Sequence, residues 1–472
     1  MAQPFVEPCG RGLIAAAPFL RIRGAPRRRT AVLMACVLAS SMGFIDGSAL
    51  TVALPQLRAF FHADFDQVQW VLNGYVLALA ALTLSGGALA DVYGKARMVA
   101  VGSLGFGLAS AACIVVPSIA WLIAARVVQG VSAAILTPSS LALIGAVYPK
   151  SKRSRAIGVW AAASALATAG GPVLGGWLTQ AFGWQWVFAI NPPLALITLA
   201  LLYAAAPPDR RERRRFDLLG AAILAAALAA LAWALGQIGP QGAGDRGLAA
   251  GAAATGVLAL VCYALWERSA AHPMTPPWLA CKRAFVGLNI ATLLLYCGLS
   301  IMFFLVSFDL IDRRHLTPTD AGLAFLPFTL GVGLLSRPFG AAADKIGART
   351  MLIGGPAGAA AAFALLALGK HASLIIGVLA PIALLGISFA MLVAPLTAAV
   401  LSSLGDADEG LASGVNNAVA RIAQMAGIAL AAGLASNSAG YRVSLLAAAA
   451  MAIVAALVAA VLLPRDKRRR AS

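Results

Sequence analysis

Fourteen apolar runs, each long enough to cross the hydrocarbon core of a bilayer, constrain this chain more than any other feature. A span needs roughly 20 apolar residues of helix. Such runs occupy residues 31–54, 69–90, 98–117, 119–146, 156–181, 186–206, 217–236, 247–266, 285–308, 321–343, 350–369, 372–400, 410–435 and 441–463. The long fourth and twelfth each have room for a tilt or a short loop. Backbone polar groups in lipid must be satisfied within the segment itself, which here means helices. The expectation is an all-α integral membrane protein with 14 transmembrane helices. Residues are 61% hydrophobic and only 11% charged, which excludes a soluble enzyme of ordinary make-up and a disordered chain.

The net charge of +18 would fit a nucleic-acid binder, but such a protein would not carry this much continuous apolar sequence. Basic loops facing the cytoplasm account for both facts. With the N-terminus inside, 27 of the 36 Lys and Arg fall on the cytoplasmic side, 6 outside, and 3 (Arg126, Arg337, Arg421) within spans. This asymmetry predicts a multi-pass protein of the cell (inner) membrane with both termini cytoplasmic. An odd number of spans would put the basic C-terminal tail outside. The densest loop, PPDRRERRRF from Pro207 to Phe216, reads as a topogenic segment facing anionic membrane lipid. The N-terminal Arg cluster precedes a run too long for a signal-peptide core, so no cleaved signal is expected. The six cysteines form no C-x-x-C, and neither a disulfide scaffold nor a metal site is expected. They read as small buried hydrophobes.

An internal repeat divides the chain. Gly87, Asp91 and Gly94, after span 2, recur as Gly340, Asp344 and Gly347 after span 10, all at an offset of 253. Basic residues follow in both copies, at Lys95 and Arg97 and at Arg349. The chain thus divides into a basic N-tail (1–30), a six-helix bundle (31–206), a linker with a basic loop and two inserted helices (207–284), a second six-helix bundle (285–463) and a basic C-tail (464–472). Parallel repeats of this kind build transporters, with the substrate path at their interface. The inserted pair, rich in Ala and Leu, reads as a lipid-facing addition.

Five segments make a resemblance specific. They are Ile45 to Pro55 (IDGSALTVALP) in span 1, Gly87 to Gly94 in the loop, and Leu122 to Gly130 (LIAARVVQG) in span 4. The others are Gly170 to Gly176 (GGPVLGG) in span 5 and Trp184 to Pro192 (WQWVFAINP) at the start of span 6. In order, on the corresponding helices, they resemble the major facilitator superfamily and, within it, the 14-helix drug:proton antiporter family. The resemblance covers nearly the whole chain and implies the major facilitator fold. Two positions depart from it: Val92 stands where the loop pattern has a basic residue, and Thr51 where the span 1 pattern has Asn. These bear on the cytoplasmic gate and on the hydrogen bonding of Asp46, respectively.

A charge deep in a membrane is costly, so it is a functional candidate by default. Asp46 lies nine residues before Pro55, and Arg126 nine residues after Pro117 on a span of opposite direction. Both sit roughly 13 Å below the outer surface, on helices that the family fold brings together. An ion pair or a water-bridged pair is predicted. A carboxylate set between a neighbouring cation and desolvation can load and release a proton. Asp46 is therefore the candidate proton carrier and Arg126 its tuner; a structural pair fixing spans 1 and 4 is the alternative. Arg421 lies roughly 18 Å into span 13, with no acid at its depth. It either attracts an anionic group or replaces a proton in the coupling cycle, or else pairs with backbone carbonyls, Asn416 or Asn417. Arg337 reads as snorkelling to the inner interface.

Gly171, Pro172, Gly175 and Gly176 allow close helix packing and a bend; the antiporter resemblance gives that bend a sealing role. Gly87, Gly94, Gly340 and Gly347 permit tight cytoplasmic turns, and Asp91 is a candidate cap for the third helix. The resemblance also implies a latch from Asp91, Lys95 and Arg97 in the outward-facing state, with Asp344 its counterpart in the repeat. Candidate cavity residues are Asn73, Tyr75, Gln129, Trp160, Asn191, Phe303, Phe304, Asn416, Arg421 and Gln424. Aromatic faces among them would suit hydrophobic cations.

The leading function is proton-coupled export of small amphipathic compounds, driven by the proton gradient without a cofactor, from a monomer. The alternative is an exporter or facilitator of one metabolite or lipid without proton coupling. The four scattered histidines form no H-E-x-x-H, and no G-x-x-x-x-G-K-[ST] occurs, which argues against an enzyme and a nucleotide-driven pump.

Overall fold

The computed structural model describes residues 26–206, 217–237, 246–270, 273, 275–369, 372–404, 409–434 and 438–462. Residues 1–25 and 463–472 and the loop 207–216 lie outside the described residues, and residues 26–30, placed in the N-tail by the sequence, are instead the start of the first helix. Helix forms over each of the fourteen apolar runs. In the first half these are α1 (Pro26–Phe61), α2 (Phe65–Tyr93), α3 (Lys95–Ile114), α4 (Ile119–Val147) and α5 (Lys150–Phe182), followed by α6 (Gln185–Ala189) and α7 (Asn191–Ala205) over one run. The inserted pair is α8 (Leu218–Gly236) and α9 (Arg246–Ser269). The second half comprises α10 (Arg283–Phe308), α11 (Pro318–Leu323) with α12 (Leu326–Ile346), α13 (Ala348–Leu368), α14 (Ala380–Ser402), α15 (Glu409–Leu434) and α16 (Ser438–Leu462). Eleven of these rods are long and apolar enough to cross a membrane; α2, α5 and α8 supply the helix for the other three runs.

Prolines divide two of the rods. α7 begins Asn191-Pro192-Pro193 and α12 begins Leu326-Pro327, the first-turn positions where a missing N–H costs nothing. Pro55 and Pro172, by contrast, lie inside α1 and α5, which continue through them.

Two of the four repeat glycines stand at turns. Gly94 (φ 105°) and Gly347 (φ 98°) take the left-handed backbone that joins α2 to α3 and α12 to α13, where a β-carbon would clash. Gly87 and Gly340 lie within helix instead. The N-cap position of α3 is Gly94; the Asp91 side chain, the candidate cap, lies outside the described residues. We call the end of the bundle bearing these turns the basic end, for the Lys and Arg the sequence places there, and the opposite one the far end.

Two apolar cores show where the halves meet. One joins far-end residues of the first half, such as Leu54, Leu57, Val68 and Phe188, to α10, α13, α14 and α16. The other holds the basic-end part of the first half together with Leu224, Leu228 and Ala232 of α8, and Met425 of α15. The inserted helices therefore differ from each other. α9 packs mainly on α8 and exposes Leu248, Leu258 and Leu265, as a lipid-facing helix would. α8 also packs on α2 of the first half and α15 of the second, where its Leu224, Leu228 and Ala232 join a core shared with first-half residues and Met425. An all-apolar sequence does not reveal this, since lipid and a helix seam present the same chemistry.

Candidate functional site

Asp46 of α1 and Arg126 of α4 form an ion pair in which both side chains are 0% exposed. The pair is enclosed by polar groups from three further helices. Gln129, one turn beyond Arg126 on the same face of α4, accepts from Arg126 Nη1 at 2.6 Å and donates Nε2 to Asp46 Oδ1 at 3.0 Å. The same nitrogen lies 2.7 Å from Ser110 Oγ of α3. Asn191, at the start of α7, offers Nδ2 to Asp46 Oδ1 at 3.4 Å. Arg126 Nε donates to the Val71 carbonyl of α2 at 3.1 Å. Its guanidinium also lies over the Tyr75 ring, 4.4 Å from the centroid, with Phe188 beyond at 5.7 Å. A buried charge is tolerated only when paired and hydrogen-bonded, and this cage meets that condition. Protonation of Asp46 would cancel its charge and leave Arg126 held by neutral groups. Arg126 Nη2 has no partner among the described residues.

Helix counting places Asp46 and Arg126 at one depth, and the three-residue step from Arg126 makes Gln129 accessible to sequence reasoning. Ser110, Phe188 and the Val71 carbonyl were missed, because which face of α3 or α2 meets α4 depends on packing. Thr51 does not bond Asp46; its hydroxyl donates to the Ser48 carbonyl of its own helix at 2.7 Å.

The other cavity candidates separate into two groups. Asn73, Tyr75, Gln129, Trp160 and Asn191 are buried within the protein. Trp160 donates Nε1 to Ser40 Oγ at 2.9 Å and Tyr75 its hydroxyl to the Gly43 carbonyl at 3.1 Å, so both tie α1 to its neighbours. Asn73 and Gln69, one turn apart on α2, are buried, and among the described residues neither amide has a partner. In the second half, Phe303, Asn416, Arg421 and Gln424 are half-buried, whereas Phe304 is fully buried. Asn416 bonds Thr292 Oγ1 at 2.8 Å and Asn289 Oδ1 at 3.2 Å, leaving Arg421 to Gln424, 3.1 Å away. Of the loop residues, Arg97 is exposed; the side chains of Asp91, Asp344 and Arg337 lie outside the described residues.

The GGPVLGG segment of α5 serves two neighbours at once. Gly171 and Gly175 face Ser48 and Ala49 of α1. Gly176 and Pro172 face Pro318 and Gly322 of α11, in the other half. A β-carbon at Gly176 would strike the Pro318 carbonyl, and one at Gly322 the Pro172 carbonyl. The far end is thus closed by backbone-to-backbone contact between the halves. Gln180 adds a bond from the Thr319 amide at 3.2 Å, Phe65 packs on Phe308 at 5.0 Å, and Arg58 reaches Asp312 at 3.7 Å. The last pair is well exposed and contributes little. Gly176→Val is expected to open the far end, because overpacking a close seam costs about 1–3 kcal/mol. Spin labels at the exposed Val115 and Ile376, with the exposed Cys262 and Cys281 replaced, should move apart; an unchanged distance would show that the seam does not set the closed state.

Two far-end carboxyls titrate above the ordinary carboxylate range. Burial raises Asp312 against the opposing effect of Arg58 and His315. Burial and then the Asp64 charge raise Asp66. A carboxyl raised when buried and ordinary when hydrated binds its proton more tightly in the closed form. Acid at the far side should therefore favour closure, in a window just above the ordinary carboxylate range, and the preference should fade as pH rises through the raised values. The same label pair should report a shorter distance on acidification, and Asp312→Asn should reduce that response. Lengthening on acidification would contradict the assigned direction.

Comparison with known proteins follows the same geometry. The sequence profile of the Major Facilitator Superfamily matches residues 36–266 and 288–472. The chain is 32% identical over 407 residues to the multidrug resistance protein Stp of Mycobacterium tuberculosis (strain CDC 1551 / Oshkosh), covering 86% of this chain and 75% of that protein. It is 31% identical over 447 residues to the methylenomycin A resistance protein of Streptomyces coelicolor, covering 91% of each. Its fold is similar to that of a peptide transporter, POT, crystallised with sulfate: the TM-score is 0.68 at 15% identity, over 95% of this chain and 96% of that one.

Proposed function

Because the chain belongs to the Major Facilitator Superfamily, we propose that it is a secondary active transporter that exports small amphipathic compounds, drugs among them, in exchange for protons. The relatives named for multidrug and methylenomycin A resistance support the export reading. Proton coupling rests on one observation: Asp46 is wholly buried in a cage whose only cation is Arg126. In this reading the two halves rock about the central site, and the far-end seal belongs to a carrier loading from the basic end. We place that end and both termini in the cytoplasm, with a monomer in the cell membrane and no cofactor beyond the proton gradient.

The cycle follows from charge. Proton arrival at Asp46 releases Arg126 from its counter-ion and loosens the link between α1 and α4. Proton departure restores the link. Alternating access requires that Asp46 meet water from one side at a time, and the Phe188, Leu54 and Val71 side chains on its far side provide the barrier in the closed form.

The test is reconstitution of the full chain in liposomes holding a pH dye, challenged with lipophilic cations, antibiotics and neutral compounds. Proton movement triggered by a compound supports antiport. A compound carried across the bilayer with no proton movement would leave the uncoupled facilitator as the better account.

A further inference from the structure

Deep within the spans, the described charged side chains are Asp46, Arg126 and Arg421. The first two cancel. Arg421 appears in none of the described ion pairs and bonds only the neutral Gln424. Among the described residues, the middle of the protein thus holds one positive charge without a counter-ion, an arrangement that favours an anion. Arg421 also stands between the halves: α15 lies along α10, with Asn416 bonded to Thr292 and Gly427 against the Cys297 carbonyl, which sets Arg421 near the level of Tyr296, while the adjoining Ile422 and Met425 share a core with Tyr75 of α2.

Tyr296 begins a ladder of rings across the second half. Its centroid lies 6.2 Å from that of Phe389, which is 5.8 Å from Phe328, itself 5.5 Å from Phe303. Phe303 stacks on Phe325 at 5.0 Å and 28°. Tyr296, Phe303 and Phe328 are half-buried, so they keep surface for a further ring, and offset or edge-to-face contacts reward a flat one. Aromatic faces alone would also suit a cation. A cation here, however, would sit beside Arg421, and the Tyr75 face is already taken by Arg126.

We propose that this site takes a planar aromatic acid, its carboxylate or phenolate on Arg421 and its ring along the Tyr296–Phe389–Phe328–Phe303 ladder. The proposal rests on the transporter reading and names its substrate class. It also gives the coupling a route: Tyr75 packs on Arg126 and shares a core with Ile422 and Met425 of α15, so one side chain connects the helix of the substrate's counter-ion to the counter-ion of Asp46.

Fluorescence titration of the purified full chain would use three probes on one scaffold: anthracene-2-carboxylate, its methyl ester, and 2-(aminomethyl)anthracene. The carboxylate should bind about tenfold or more tighter than the other two, as a charge-assisted bond implies. In Arg421→Gln its affinity should fall to that of the ester, while ester binding, unchanged, reports an intact fold. Arg421→Lys should keep part of the preference. Tightest binding of the ammonium, or a carboxylate preference that survives Arg421→Gln, would overturn the proposal. So would binding of none of the three by folded wild type; in that case the transporter reading is decided separately by proton flux with the broader compound panel.

Discussion

In Asp46→Asn, substrate-driven proton movement should fall by roughly a hundredfold or more, the scale on which loss of a positioned proton-transfer group is felt. Substrate should still bind. Asn keeps the shape, and its one amide oxygen can still accept from Arg126, but it cannot exchange a proton. Counterflow of substrate alone, with no pH gradient, should therefore survive better than proton-linked transport. That split separates a proton carrier from a structural carboxylate, whose loss would impair both equally. Full proton flux in the variant would transfer the role to another buried acid. Asp309, held at the far end by Arg313 and Arg314, is the first to test.

Arg126→Leu is expected to be the most destabilising single change, by about 3–5 kcal/mol, because it leaves a buried carboxylate without its cation. It also removes the donor to the Val71 carbonyl and the packing on Tyr75. Asp46→Asn combined with Arg126→Leu should recover much of the stability while leaving proton movement absent. Thermal unfolding of the four proteins in one detergent forms a double-mutant cycle. If Arg126→Leu melts with the wild type, Asp46 carries a proton already in the resting form.

The parts of this molecule legible in its sequence are those set by one helix at a time. Span positions follow from apolar length, and the shared depth of Asp46 and Arg126 follows from rise per residue. The turn glycines at 94 and 347 follow from the repeat. What depended on rotation of one helix against another was not legible. Ser110 gives no sign on α3 that it meets Gln129, and Trp160 resembles a cavity residue until its indole is found on Ser40. Arg421 was visible as a charge without an acid at its depth, but its place beside Tyr296 and the ring ladder required the second half to be assembled. The GGPVLGG segment marked a close approach without naming two partners, because adjacent residues of a helix face different directions.

The placement of α8 has a mechanical consequence. This helix touches α2 and α15, one from each half, so any relative rotation of the halves is also a displacement past α8. The side chains it commits to the core shared with both include Leu224, Leu228 and Ala232. Leucines make the ridges that interlock with a neighbouring helix, whereas alanine leaves a shallow groove, so rotation of the halves must repack those two leucines. The inserted pair is thus geared to the moving parts, and a change of size at either leucine would be felt by both bundles at once.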